Sequence, residues 1–300
     1  QLKTVSSIIQ IVLPGLNLMV AMFIGVTIAV IYTSFSGMKG ASAVGRVVCI
    51  GIYVLLICFV FTTLPKFGGF SGLLGELPEK YDSMGNMPTQ RIVAWIVGGC
   101  ISTAVMQAVL QPLLSAKSPE AARVGSILGY VIAAPICFFT AICGMLSKAS
   151  GADLGDGSTA FAYAIKTFSS PVFAGIIFAF ATMIIAATMA TMMLATGTII
   201  TNVYKTEINP DVDDAKVLKL SKTITFVFAY LTLIPAFLIP SKSLTNLFLT
   251  LQHVAAAPVS FSILAGLLWK KTTKQGAFWS MLTGMITGVA WMLLGLTDIV

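Results

Sequence analysis

TFSSPVFAGIIFAFATMIIAATMATMMLATGTIITNVY, residues 167–204, contains no charged side chain and is rich in Ala, Ile, Met and Thr. A helix that crosses a hydrocarbon core of roughly 30 Å needs about 20 predominantly apolar residues, and this stretch exceeds that length. Hydrocarbon offers no hydrogen bonds to an exposed backbone, so a spanning segment of this kind must be helical. We therefore predict a membrane-spanning helix over 172–202.

The same pattern recurs along the whole chain of 300 residues, of which 57% are hydrophobic and only 10% charged. Soluble domains carry roughly a quarter charged residues, so water is not the main solvent of this protein. Eight uncharged runs are long enough to cross a membrane. We predict an all-α membrane protein, a polytopic helical bundle of about eight spans that forms one transmembrane domain over 1–300. The predicted spans are 16–37, 47–65, 92–113, 124–147, 172–202, 223–241, 245–269 and 276–296.

The net charge of +7 reports orientation in the membrane rather than a polyanionic ligand. If 35–46 faces the cytoplasm and the spans alternate, the inner connections collect 11 of the 18 basic residues. This bias has the sign of the positive-inside rule, so we expect membrane lipid and no nucleic acid as a partner. The inner basic residues are Lys39, Arg46, Lys117, Arg123, Lys205, Lys216, Lys219, Lys222, Lys270, Lys271 and Lys274.

Two features of the predicted spans indicate that polar groups line the interior of the helical bundle. Thr188, Thr191 and Thr198 lie in one narrow sector of a helix, among Ala and Gly residues that allow a neighbour to approach. Their hydroxyls either bond to their own backbone or link helices, or they coordinate a hard cation such as Na⁺. The pair Gly98-Gly99 either permits a break in its helix, as at the substrate sites of many transporters, or allows close packing.

No catalytic motif interrupts this pattern. The sequence has no His-Glu-x-x-His, no Gly-x-Ser-x-Gly, no P-loop and no Cys and His cluster at metal spacing, so we predict no enzyme and no catalytic residue. His253 is the single histidine and follows Gln252 inside a predicted span. A histidine there is either a hydrogen-bonded packing residue or a proton relay, and no carboxylate in the spans is available to pair with it.

Four segments resemble the sodium:solute symporter family, in order along the chain. They are SGMK (36–39), QAVLQPLLSAKSPEAAR (107–123), TIITNVYK (198–205) and GLLWKKTTKQGA (266–277). The second segment resembles the stretch that closes the broken helix of the family's second repeat. The match is specific to the family and not to a solute.

The resemblance implies the inverted-repeat fold of the LeuT type, in an integral protein of the bacterial cytoplasmic membrane. The present spans would be the fourth and fifth of the first repeat, all five of the second and one peripheral helix. The first three core spans would be absent. Because the chain begins with Gln1 rather than Met, we expect it to be a piece of a longer protein whose missing helix supplies half of the ligands.

The resemblance also assigns candidate cation ligands. Ala187 and Thr188 fall where the family has two neighbouring hydroxyl residues at its conserved sodium site, and Ile184 would contribute a backbone carbonyl. Thr191 joins this set because it shares the sector of Thr188. The Asp often found in this span is replaced by Ala190, so a second sodium site is not expected. These four candidates would bind Na⁺ as the coupling ion.

Candidate substrate-binding residues lie on the central face of the broken helix: Gly99, Ser102, Met106 and Gln107. Pro112 stands where the family has Arg, which suggests a changed inner gate. The resemblance implies a secondary active transporter that couples Na⁺ to a small polar organic solute by alternating access. The alternatives are a proton-coupled or uncoupled carrier on the same fold, and a membrane sensor or scaffold without transport. The sequence does not identify the solute or the oligomeric state.

Overall fold

The computed structural model describes residues 1–81, 87–154, 157, 159–238 and 256–294, apart from the side chains of 35–42, 80, 104, 257 and 292. In this part of the chain every regular element is helical, so the predicted all-α class is confirmed. The α-helices are α1 (Leu2–Val12), α2 (Leu18–Thr63), α3 (Gly69–Gly75), α4 (Thr89–Val105), α5 (Gln107–Leu114), α6 (Pro119–Ala149), α7 (Ala160–Phe168), α8 (Pro171–Val203), α9 (Asp214–Leu231), α10 (Leu233–Leu238), α11 (Ala257–Leu268) and α12 (Lys274–Leu293).

Four helical segments of the described residues are long and apolar enough to cross a membrane. A fifth is obtained if the bent pair Thr89–Thr103 and Gln107–Leu114 forms one span. The predicted count of eight spans is therefore not confirmed, in part because the predicted spans 223–241, 245–269 and 276–296 reach residues outside the described part. The four segments are Ala43–Phe67, Pro119–Ala149, Pro171–Ile208 and Asp214–Leu238.

Helix α2 begins after a turn at Pro14-Gly15, where Gly15 has φ +93°. Asn17 caps it by accepting a hydrogen bond from the Met19 amide at 2.8 Å, so the helix begins two residues after the predicted start at Leu16. It contains two apolar portions, Leu18–Ser34 and Ala43–Phe67, which correspond to the predicted spans 16–37 and 47–65. Residues 36–39 lie between these two portions as continuous helix of α2, so the expected end of the first span near 37 is wrong and no turn divides the helix there.

The chain packs into two compact units. The first comprises Gln1–Pro78 and Ile127–Pro240, and in it α8 packs against α1, α2, α7 and α9. Its core is mainly apolar and also holds buried hydroxyl residues such as Ser6, Thr63 and Ser147. The largest fully buried side chains of this unit are Phe59, Met22, Leu56, Leu73, Ile142, Leu146, Ile165 and Ile177.

Glycines allow the helices of the first unit to approach closely. Gly25 receives the side chain of Val5, and Gly51 receives the ring of Phe180, so a Cβ atom at either glycine would overlap its neighbour. At Gly197 a Cβ atom would lie 3.0 Å from the carbonyl oxygen of Ser221 in α9. The predicted close approach of α8 to a neighbouring helix is thus found at Gly197.

The second unit comprises Glu79–Ser126 and Ser241–Val300. In its described part α11 packs against both α4 and α12. A Cβ atom at Gly284 of α12 would lie 2.9 Å from Cβ of Pro258, and the Ser262 hydroxyl donates a hydrogen bond to the Ala277 carbonyl at 3.3 Å. The close contact that a Gly-x-x-x-Gly pattern permits is therefore made by Gly284 within this unit.

The spanning helices expose most of their apolar surface. In the most apolar 18-residue windows of Pro119–Ala149 and Asp214–Leu238, only 11% of the residues are buried, against 39% for Pro171–Ile208. Soluble monomers rarely expose contiguous apolar patches larger than a few hundred Å², so surfaces of this kind require an apolar solvent. The lipid bilayer supplies it.

We expect Gly197→Ala to destabilise the protein by about 1–3 kcal/mol, because the added methyl group must displace α9 or its hydroxyls. The measurement is the midpoint of unfolding in detergent. The matched control is Gly175→Ala in the same helix, where nothing lies within 4 Å of the added atom. That variant should be neutral or slightly stabilised, since Ala favours helix over Gly by about 1 kcal/mol. Equal effects at the two positions would contradict the packing assigned to Gly197.

Candidate functional site

The four candidate cation ligands lie together on one face of α8. Ile184, Ala187, Thr188 and Thr191 are spaced i, i+3, i+4 and i+7, which brings them into line on a helix. Each is partly exposed, whereas Ile185 and other residues of the opposite face are buried in the core of the first unit. The structure therefore brings the predicted set together on a face of α8 that its own unit covers only in part, which is called the open face below.

Hydrogen bonds join these residues in pairs. The Thr188 hydroxyl donates to the Ile184 carbonyl at 2.9 Å, and the Thr191 hydroxyl donates to the Ala187 carbonyl at 3.0 Å. Thr198 makes the same kind of bond to Leu194 at 2.7 Å. All three threonines thus bond to their own backbone, which was the first of the two interpretations. Such a bond uses the hydroxyl proton and leaves the oxygen lone pairs as acceptors.

This face can supply only neutral oxygen atoms. The sequence 167–204 contains no charged residue, and the described residues contain no group of three or more His, Cys, Asp or Glu that could hold a metal ion. Ala190 is fully buried, so its methyl group belongs to the core of the first unit rather than to the open face. Hydroxyl and carbonyl oxygens suit hard cations, which are bound through oxygen.

The predicted broken helix is present, but its break lies at Met106. The backbone of Met106 is extended, with φ −64° and ψ 125°, and α4 and α5 meet there at a bend of 45°. The interpretation of Gly98-Gly99 as a break in the helix is wrong, since α4 runs through both glycines. The Ser102 hydroxyl donates to the Gly98 carbonyl at 2.6 Å and lies 3.3 Å from that of Gly99, which adds a contact across this turn of the helix.

The candidate substrate residues follow this break. Gly99 and Ser102 lie on α4, Met106 occupies the break and Gln107 begins α5. Ser102 is 1% exposed, whereas the other three are partly exposed. The carboxyl end of one helix and the amino end of the next meet at Met106, so carbonyl and amide groups of the backbone lie near each other. Transporters use such discontinuous helices to bind polar solutes and ions.

Ser260 of α11 contacts the broken helix and was not predicted. Its side chain is fully buried, and its hydroxyl lies 2.6 Å from the Ala256 carbonyl and 3.3 Å from the Ile101 carbonyl of α4. The hydroxyl has one proton to donate, so it is shared between its own helix and α4. The only signal in the sequence is a serine among apolar residues, which does not by itself identify a partner.

The two candidate sets belong to different units. The cation set lies in the first unit and the substrate set in the second, and each is described within its own unit. Gln252 and His253 fall outside the described residues, so the two interpretations of His253 stay open. No side chain of the candidate sets carries a formal charge.

The model of the sodium:solute symporter family matches residues 1–284. The chain is 24% identical to the uncharacterized symporter YodF of Bacillus subtilis (strain 168) over 95% of this chain and 59% of that protein. It is 23% identical to the high-affinity proline transporter PutP of the same organism, over 95% of this chain and 62% of that protein. Identity to the sodium/pantothenate symporter of Escherichia coli (strain K12) is 25%, over 87% of this chain and 55% of that protein. The chain therefore spans little more than half the length of these relatives.

We expect Ser260→Ala to lower the stability of the protein by about 0.5–1.5 kcal/mol, the usual net value of one buried hydrogen bond. Unfolding in detergent measures this change. Ser126→Ala is the matched control in the second unit, because the Ser126 hydroxyl bonds only within its own helix, to Ala122 at 2.7 Å. If Ser260→Ala loses no more stability than the control variant, the contact with α4 contributes nothing to the stability of the protein.

Proposed function

The chain belongs to the sodium:solute symporter family, and from this premise we propose that the complete protein couples the inward movement of Na⁺ to the uptake of a small polar organic solute. Two relatives that are named as transporters of proline and of pantothenate support a solute of this class. The protein is an integral membrane protein of the plasma membrane. We propose transport without a catalytic step, and neither catalysis nor nucleic acid enters the mechanism.

The open face of α8 is the observation that carries the proposal. It presents two hydroxyl oxygens, on Thr188 and Thr191, and two carbonyl oxygens, on Ile184 and Ala187, on a helix that carries no charged side chain. We propose that Na⁺ binds there with Thr188 as its side-chain ligand and Ile184 as a carbonyl ligand. Ligands from another segment of the complete protein would complete the coordination, since one helix face cannot surround an ion.

We propose that the solute binds at the break between α4 and α5. Gly99 leaves room for the solute, Met106 provides the extended backbone, and Gln107 offers an amide that both donates and accepts hydrogen bonds. The Ser102 hydroxyl already donates to the Gly98 carbonyl, so its role is to hold α4 on the approach to the break. None of these groups is charged, which favours a polar solute held by hydrogen bonds.

Coupling follows from linkage between the two ligands. If Na⁺ and the solute both bind more tightly to the same conformation, each raises the apparent affinity of the other by the same factor. Movement of one ligand down its gradient can then drive the other.

The direct test is uptake of candidate solutes by the complete protein in proteoliposomes, with Na⁺ gradients replaced by choline. We expect uptake to depend on Na⁺ and to saturate with it. Undiminished uptake in choline would reject sodium coupling in favour of a proton-coupled or uncoupled carrier. Solute binding without any counterflow would indicate a sensor or scaffold instead.

Thr188→Ala should raise the Na⁺ concentration for half-maximal uptake at least tenfold, because one ligand oxygen is lost from a site of few ligands. Thr188→Ser keeps the oxygen and should stay near the wild-type value. Thr198→Ala is the control, since Thr198 makes the same backbone hydrogen bond but is not a proposed ligand. If Thr188→Ala and Thr198→Ala change the Na⁺ dependence equally, the assignment of the cation to this face fails.

A further inference from the structure

The turn between α11 and α12, residues 269–273, is held in one conformation by its own threonines. The Thr272 hydroxyl lies 2.9 Å from the Ala265 carbonyl and 2.8 Å from that of Trp269. The Thr273 hydroxyl accepts a hydrogen bond from the Gly276 amide at 3.1 Å and so caps the start of α12. The side chains carried by this turn are therefore presented in a defined arrangement.

Three exposed lysines, Lys270, Lys271 and Lys274, lie on this turn and the first residue of α12. The sequence contains no Asp or Glu between Asp214 and Asp298. Among the residues that the structure describes, the one ion pair joins Lys205 to Asp214 and involves none of these lysines. Within the part of the chain that the structure describes, no acidic side chain forms an ion pair with these three positive charges.

Large apolar side chains surround the lysines and are also exposed. Leu268 is 82% exposed, Trp269 61% and Trp279 60%. Tryptophan is enriched where a membrane meets water, because its ring is apolar and its N–H is polar. The turn thus joins three cations to an apolar surface at a helix end, which matches the two parts of an anionic phospholipid, its headgroup and its acyl chains.

The other lysine-rich connection of the chain, residues 205–222, has equal numbers of basic and acidic residues. Between 205 and 222 the four lysines are offset by four acidic residues, and Lys205 bonds to Asp214 at 2.6 Å. An anionic surface gains little from such a connection, since its charges cancel. The four lysines are Lys205, Lys216, Lys219 and Lys222, and the acidic residues are Glu207, Asp211, Asp213 and Asp214.

We propose that the turn between α11 and α12 binds the headgroup of an anionic phospholipid of the surrounding membrane, with Lys270, Lys271 and Lys274 on the headgroup and Trp269 and Leu268 against its chains. Lysines near an anionic membrane surface attract it electrostatically, each by about fivefold in binding. Free phosphate would satisfy the lysines alone and leave the exposed tryptophan and leucine uncovered. The lipid is therefore the ligand that accounts for both features.

The test uses the complete protein, delipidated and offered equal amounts of phosphatidylglycerol and phosphatidylcholine, with bound lipids counted by native mass spectrometry at low ionic strength. Wild-type protein should retain phosphatidylglycerol in preference. The triple variant Lys270→Gln, Lys271→Gln and Lys274→Gln should bind that lipid on the order of a hundredfold more weakly. The matched control, Lys216→Gln, Lys219→Gln and Lys222→Gln, should retain the preference within about twofold.

Two further measurements keep the result unambiguous. Replacing the same three lysines by arginine retains the charge and should restore binding, which separates loss of charge from loss of folding. Inorganic phosphate in millimolar excess should leave the lipid bound. Equal retention of the two lipids by wild-type protein, equal losses in the two triple variants, failure of the arginine variant to bind, or displacement of the lipid by phosphate would each overturn the proposal.

Discussion

The pairing of polar groups in hydrocarbon is the constraint on which the rest of this structure depends. An unpaired hydroxyl or amide in a bilayer costs several kcal/mol, so each must find its partner within the protein. Most of the described serines and threonines meet this requirement through the carbonyl three or four residues earlier, as Thr33 does to Ala29 at 2.6 Å, and the buried Thr63 hydroxyl is an exception without a partner among the described residues. Hydroxyls can therefore be placed in an apolar helix such as α8 at little cost in free energy. Their oxygen atoms remain able to accept a hydrogen bond or to coordinate a cation.

The sequence predicted α8 well because the absence of charge and the spacing of its small residues carry physical meaning. An uncharged run of this length has to span the membrane. Small residues such as Ala186, Ala195 and Gly197 are expected to face a neighbouring helix, and all three are buried. The common face of the candidate cation residues also followed from helical periodicity. What periodicity does not supply is a partner across the helix, and so the contact of Ser260 with Ile101 was missed.

The position of the break between α4 and α5 shows a second limit of prediction from the sequence. Adjacent glycines lower the cost of irregular backbone, but they do not require it, and the Ser102 hydroxyl adds a hydrogen bond to Gly98 that keeps this turn helical. The extended conformation of Met106 has no local sequence signal, since Met favours helices. Amphipathic α1 was likewise not predicted, because its buried residues Val5 and Ile8 lie in the uncharged run 4–38, in which no charged residue separates α1 from α2.

Burial within the first unit explains why α8 is suited to carry a binding face. It is the most buried of the candidate spans, and its opposite side is packed against α2 and α9 by small residues and methionines. A ligand site needs side chains held within a fraction of an ångström, which a helix anchored along its length provides and an exposed helix does not. The anchored side is apolar apart from the buried Thr201, whereas Thr188 and Thr191 lie on the remaining, partly exposed side. The same packing that stabilises α8 therefore determines which of its faces is available to a cation.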